Sequence, residues 1–307
     1  MPTIDLTTPP PPPAGTLEGL PRRISLTLAE LQLLAERAGN APLPFELAEV
    51  AAPSALEGRL GASAQSGDDA RYRAAVAELS DPLDSLTRRG LADGDATDPG
   101  ALGALGLLAK PAVAVDLDVT IDGARARAWH RTRGGAVATL ATADGLVFEL
   151  AWFDSAQWAT ELGRVAALPA EAGSTASQVP ADADLPFELL DAGSEAIRSG
   201  RTDLLAAIVG HHHAAAHDGS GAALTDAQVQ ALISALGAET HGRLRALVAD
   251  VEAGGSTVGV VSLVLLADGW RALTPYRDGK ANRVRIRAVQ PNDLAGLLAP
   301  VLAEVSA

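Results

Sequence analysis

Cysteine is absent from this 307-residue chain. That excludes a disulfide framework, a zinc ribbon, a thiol nucleophile and an iron–sulfur cluster. Aromatic residues make up only 3%, too few for an aromatic-rich ligand pocket. Positive charge is also scarce: 24 Lys+Arg face 38 Asp+Glu, for a formal charge of -14, and only two of the basic residues are lysines. Such a balance opposes general binding to nucleic acid, whose affinity comes largely from neutralising phosphates. It equally opposes an anionic membrane surface. No apolar run approaches the ~20 residues that a membrane helix needs. The N-terminus lacks a basic-then-apolar leader and opens instead on polar residues followed by Pro9–Pro13. The expectation is a cytoplasmic protein with no membrane insertion and no nucleic-acid partner.

What the chain does contain is apolar surface of one kind. It is 48% hydrophobic, and about a fifth of it is Ala, which suits helix packing. Residues 1–22 read as a disordered Pro-rich tail, because prolines favour extended polyproline geometry and donate no backbone N–H. Residues 23–168 read as a first α+β half and 169–184 as a Pro/Ala/Ser/Asp linker. Residues 185–307 read as a second α+β half, forming one compact domain with the first.

Thr27 with Glu30 three residues on is a capping box and predicts a helix ending near Gly39. Residues 51–68 read as irregular, and helices are predicted near 69–79, 82–89 and 98–109, the last behind Asp98-Pro99. The period then changes from helical to alternating. Val115-Asp116-Leu117-Asp118-Val119-Thr120-Ile121 leads into an Asp122-Gly123 turn, Gly134-Gly135 turns the chain again, and Asp144-Gly145 a third time. Four alternating runs joined by three glycine turns predict an antiparallel meander. A helix follows from Asp154. Beyond the linker, helices are predicted near 187–198, 202–210, 225–236 and 239–253, with Gly237 and Gly254 just past the ends of the last two. Strands follow at 256–267, 270–276 and 283–289, and a closing helix at 293–305.

The two halves echo one another. Leu-Pro-Phe-Glu-Leu occurs at 43–47 and at 185–189, and each half ends in strands, a DG turn, a final strand and an amphipathic helix. This predicts an internal duplication with quasi-twofold symmetry.

Candidate chemistry is sparse. His211, His212, His213 and His217 form the one dense cluster of metal-ligand type. However, positions 214–216 are all Ala, so the helical zinc pattern with its Glu is missing. A polar loop is the better reading, with no metal, no cofactor and no catalytic residue assigned. Gly254–Gly259 runs from a helix into a strand, opposite to a phosphate loop. Asp116 and Asp118 lie on the polar face of a strand. Arginine stripes stand out against the acidic average: Arg125, Arg127, Arg131 and Arg133 in the first half, Arg283, Arg285 and Arg287 in the second. Two readings are open for them, a solvated sheet face with edge charges that discourage aggregation, or a partner surface. Trp129 and Trp270 lie on the same strands; a Trp among arginines has the composition of an interface hot spot, or belongs to the core.

The stretch Arg88-Arg89-Gly90-Leu91-Ala92-Asp93, then Asp98-Pro99, Leu102–Leu108, Ala109-Lys110-Pro111 and Val115-Asp116-Leu117, resembles the EspG family, cytosolic proteins of type VII (ESX) secretion in actinobacteria. The helix opening at Leu26–Leu31 and the glycine-marked strand pair before the last helix are similar too. Lys110 stands where the family usually has Arg, and Ala114 where an acid is common. The resemblance implies an α+β fold with a central, mostly antiparallel sheet flanked by two helical bundles. It also implies a non-enzymatic chaperone that binds a PE/PPE-type (or WXG-type) helical pair and keeps it soluble for secretion. As physical guesses for the grip, Leu232, Val258, Val260, Ser262 and Trp270 are named as contacts, and Arg125, Arg127, Trp129, Arg283 and Arg285 as further partner-binding residues, since an apolar patch rimmed by polar groups suits a helix tip. A weak homodimer is compatible with the same surfaces. The competing readings are an enzyme built on the His211–His217 cluster and an EspG-fold module with another client.

Overall fold

A computed structural model of the chain describes residues 21–46, 75, 81–168, 175–252 and 258–305. Residues 1–20 of the Pro-rich tail, the irregular stretch at 51–68, all but residue 75 of the helix expected over 69–79 and most of Gly254–Gly259 lie outside the described residues. In chain order the elements begin with β1 (Arg22–Thr27), α1 (Leu28–Arg37), α2 (Pro82–Arg88), the two-residue strands β2 (Ala92–Asp93) and β3 (Ala96–Thr97), and α3 (Pro99–Ala109). The meander follows as β4 (Val113–Ile121), β5 (Ala124–Arg133), β6 (Ala136–Thr142) and β7 (Val147–Asp154), then α4 (Trp158–Val165). The second half runs β8 (Asp182–Pro186), α5 (Phe187–Arg198), α6 (Leu205–His211), β9 (His217–Asp218) and α7 (Asp226–Glu239). It continues through β10 (Gly242–Asp250), β11 (Val258–Leu266), β12 (Gly269–Asp278) and β13 (Ala281–Val289) to α8 (Leu294–Val305).

The large strands form one antiparallel sheet in the order β1-β7-β6-β5-β4-β10-β11-β12-β13-β8-β9. Outward from the β4–β10 pair, each side repeats the same scheme: a four-strand meander, then the strand that opens that half. Each opening strand leads straight into a helix, β1 into α1 and β8 into α5. The predicted duplication therefore holds as topology. Its five-residue echo does not. Leu185–Leu189 ends β8 and starts α5, whereas the described part of 43–47 is loop, with Phe45 stacked on Phe148 at 5.0 Å. The counterpart of Leu185 is the end of β1, so the matching string is coincidence.

The chain divides into two compact units: residues 1–111, 131–140 and 145–157, and residues 112–130, 141–144 and 158–307. In the first, Thr27 caps α1 through the expected box, its Oγ1 accepting from Glu30 N at 3.3 Å while Glu30 Oε2 accepts from Thr27 N at 2.7 Å. Glu30 is buried, and Arg89 neutralises it at 2.9 Å while donating to Ser25 O. Leu31 and Leu34 of α1, Leu86 of α2 and Leu105 of α3 are fully buried with Phe148 and Leu150 of β7.

In the second unit the sheet carries a core on each face. Val115, Leu117 and Val119 of β4, Leu244, Ala246 and Val248 of β10, and Leu263 and Leu265 of β11 pack with Leu162, Leu294 and Leu298 of α4 and α8. On the other face Val264, Leu266, Val284 and Ile286 pack with Leu189, Val209, Leu232 and Ile233 from α5–α7.

Three expectations need correction. Within 239–253, expected as a helix, Gly242–Asp250 form β10. The alternation was present in Arg243, Arg245 and Leu247 against Leu244, Ala246 and Val248, but Ala and Leu are equally good helix formers. Gly237 lies inside α7, where the missing Cβ admits Ile197; a Cβ there would sit 3.0 Å from Ile197 Cγ2. The end of the expected linker is ordered. Val179 is buried beneath a donation from Arg271 Nη2 to its carbonyl, and β8 begins at Asp182.

At the β4–β10 crossing, a Cβ on Gly242 would lie 2.9 Å from both Thr120 O and Leu265 Cβ. Gly242→Ala is therefore expected to cost about 1–3 kcal/mol, as overpacking does, read as a lower urea midpoint with unchanged m-value. Trp270 is buried and donates Nε1–H to Ala166 O at 2.8 Å. Trp270→Phe strands that carbonyl and is expected to cost a similar 1–3 kcal/mol.

Candidate functional site

The alternation that buries one side of β4 and β10 leaves the other side bare. On β10 it presents Arg243, Arg245 and Leu247, all exposed; on β4 it presents Asp116, Asp118 and Thr120. The register sets Leu247 opposite Val260 on one neighbour and Asp116 on the other, and Arg245 opposite Ser262 and Asp118. The helices α5–α7 cover Val264 and Leu266 further along β11 but stop short of Val260. Leu247 is consequently 36% exposed and Val260 41% exposed. Large aliphatic side chains standing side by side in water on a sheet face are a docking feature when rimmed by charge.

The charged rim is built from the first arginine stripe. The β4–β5 hairpin closes through Asp122 (φ 49) and Gly123 (φ 83), the paired positive-φ geometry of a tight hairpin. It brings Arg125 back over Asp118, with Nε donating to Oδ2 at 2.9 Å and Nη2 to the same oxygen. Hydrogen bonding to Asp118, reinforced by its charge, raises the Arg125 guanidinium above its usual pKa. Arg127 lies 5.5 Å over the ring of Trp129. Trp129 itself is buried and supports Arg127 from below.

The second stripe lies elsewhere. Val284 and Ile286 join the core with α5–α7, so Arg283, Arg285 and Arg287 point to the opposite face from Leu247 and Val260. There Arg285 forms a two-pronged pair with Asp182 at 3.0 and 2.6 Å, and Arg283 pairs with Asp184 and donates to Ala215 O at 3.0 Å. Tyr276 donates its hydroxyl to Asp184, which pushes the phenol pKa up. Arg283 and Arg285 tie β13 to β8, and Arg285 and Arg287 beside α8 border a cleft of about 630 Å³. The two stripes are not brought together; β4, β10, β11 and β12 separate them in the sheet.

The remaining expected contacts divide plainly. Val260 and Ser262 lie on the bare face, and Val258 opposes Ala249 at its end. Leu232 and Trp270 do not contribute a surface: at 2% and 1% exposure they are core, Leu232 under α7 and Trp270 between the sheet and α4. Arg243, Arg245 and Leu247 were missed because their strand read as helix; the period-two signal was the clue.

The histidines do not converge. His211 ends α6, where His212 meets it edge-on; His213 Nδ1 lies 2.9 Å from Asp226, and His217 Nδ1 lies 3.4 Å from the Arg283 guanidinium. Asp218 shapes the following loop by accepting from Ser220 Oγ and from the amides of Ser220 and Ala222, which holds its carboxyl below the usual range. Among the described residues, no three or more acidic or imidazole groups are placed to hold a metal. Nor is any helix of the described residues long and apolar enough to cross a membrane.

No protein-family model matches the chain, and no curated protein sequence matches it. Among solved structures, it is similar to the Mycobacterium tuberculosis type VII secretion system chaperone EspG5, solved in complex with a PE25–PPE41 dimer. The likeness covers 92% of this chain and 96% of that one, at 15% identity and a TM-score of 0.57. Over nearly its whole length, the chain has an EspG-like α+β fold built on a large antiparallel sheet.

Proposed function

We propose that this protein is a non-enzymatic cytoplasmic chaperone of type VII secretion, which binds a PE/PPE-type or WXG-type helical pair and keeps it soluble until delivery. The observation that carries the reading is the bare strip of sheet around Leu247 and Val260, on a chain whose fold is that of a secretion chaperone. An amphipathic helix tip lays its apolar residues against such a strip. Arg243, Arg245, Arg125 and Arg127 meet its polar flank and set orientation more than strength. Burial contributes about 25 cal/mol per Å² of apolar area. Release at the membrane requires a moderate affinity, about -8 to -12 kcal/mol, or micromolar to nanomolar. The chemistry needed is association and dissociation alone, which the paired arginines and dispersed histidines suit.

Co-expression with helical pairs from the same genome should yield a co-purifying complex. In it, Leu247→Asp or Val260→Asp is expected to weaken binding tenfold or more, about 1.4 kcal/mol, measured by titration calorimetry. Melting temperature should fall far less than for a core substitution, since neither side chain belongs to either core. Arg285→Ala, on the opposite face, should leave affinity unchanged. No complex with any such pair would remove the chaperone reading, and capture of a different protein would reassign the client.

A further inference from the structure

A second surface lies in the first unit. The helix α3 carries glycine at every third position, Gly100, Gly103 and Gly106. Gly100 is occupied on its open side: Trp152 packs onto it so closely that a Cβ would lie 2.7 Å from Cζ2. At Gly103 and Gly106 a Cβ would meet nothing within 4 Å. They pave one wall of a groove of about 560 Å³, whose other wall is Ala136, Val137 and Trp152. At its end stand Lys110, exposed, and Arg133, whose guanidinium donates to the Lys110 and Pro111 carbonyls at 2.8 and 3.2 Å.

Glycines alone make no site. The second observation is the Trp152 indole. Trp152 is buried, at 6% exposure, and its Nε1–H has no hydrogen-bond partner. A buried indole N–H left unpaired is costly. Trp152 lines the groove, whose walls are otherwise apolar apart from the two cations at its end, so an unsatisfied donor belongs to its lining. The ligand that fits is an extended segment offering backbone carbonyls and flat apolar rings. A polyproline helix has these properties: it makes no internal hydrogen bonds, leaves its carbonyls free, and docks into aromatic-lined grooves at little entropic cost.

The chain itself carries such a segment and delivers it to this place. Pro9–Pro13 is a run of five prolines. The first described strand starts beside the groove, because Arg22 of β1 pairs with Trp152 of β7. Residues 14–21 span up to about 25 Å at ~3.1 Å per extended residue, more than the ~16 Å length of α3 at 1.5 Å per residue. Charge agrees: residues 1–21 include Asp5 and Glu18 and neither Lys nor Arg, and the groove ends in two cations. We propose that the groove between α3 and Trp152 is a polyproline-docking site, and that its occupant is the protein's own Pro9–Pro13 segment, with a proline carbonyl accepting from Trp152 Nε1.

The absence of cysteine makes the test direct. In the full chain, Thr8→Cys gives a single attachment point for a nitroxide spin label. The indole N–H signals of the four tryptophans are read by NMR, with Trp152→Phe assigning the one at issue. The expected result is strong broadening of the Trp152 signal. Broadening should be lost when Pro9–Pro13 are all replaced by Ser, and lost again in Gly103→Leu or Gly106→Leu, which fill the groove. These last variants replace glycine on an open helix face, so they should fold at least as well as the parent, checked by melting. Equal broadening in the five-serine variant, or none in the parent, overturns the proposal. Broadening that appears only between molecules, in mixtures of spin-labelled unenriched chain with isotope-enriched unlabelled chain, also overturns it in favour of a second copy as occupant.

Discussion

The antiparallel pairing of β4 with β10 is the constraint on which the second unit depends. Its register places Val115, Leu117 and Val119 beside Leu244, Ala246 and Val248 on one face, and the charged residues together on the other. A slip of one residue would exchange the two faces and drive Asp116, Asp118, Arg243 and Arg245 into the core. Gly242 guards that register at the end of the pair, since the Thr120 carbonyl and Leu265 leave no room for a Cβ. The core beneath and the bare strip above are thus two consequences of one set of backbone hydrogen bonds.

Chemical character follows from what that sheet leaves uncovered. Helices α4 and α8 seal one face, while α5–α7 seal only the β11–β13–β8 side of the other. The exposed remainder is aliphatic at its centre and charged around it. The acid–arginine pairs have separate tasks. Arg125 with Asp118 is exposed and contributes little stability, as surface pairs do, so it remains available to a partner. Arg283 with Asp184 is mostly buried and joins β13 to β8. An arginine stripe read along one strand looks the same in both cases; the acid on the neighbouring strand decides its role.

Much of the fold was legible. The glycine turns, the meander, the capping box at Thr27 and the repeated order of elements are local signals, and each holds in the structure. The failures were also local. Gly242–Asp250 alternates, yet its Ala and Leu residues suit a helix, and only pairing with β4 and β11 settles it as strand. Leu232 and Trp270 have the composition of contact residues, but composition cannot distinguish a side chain that seals a core from one that waits for a partner.

The sequence by itself determined the class: an acidic, cysteine-free α+β chain built twice on one plan, with proline massed before its first strand. Those properties reside in composition and period, which neighbours in the chain fix. Tertiary structure alone decided which arginines are spent within the fold, that the histidines stand apart, and that Leu247 and Val260 meet in the open. It alone set an unpaired indole N–H against a glycine-paved helix. Each of these depends on strands and helices distant in the chain coming to lie side by side, and no period read along one segment carries that information.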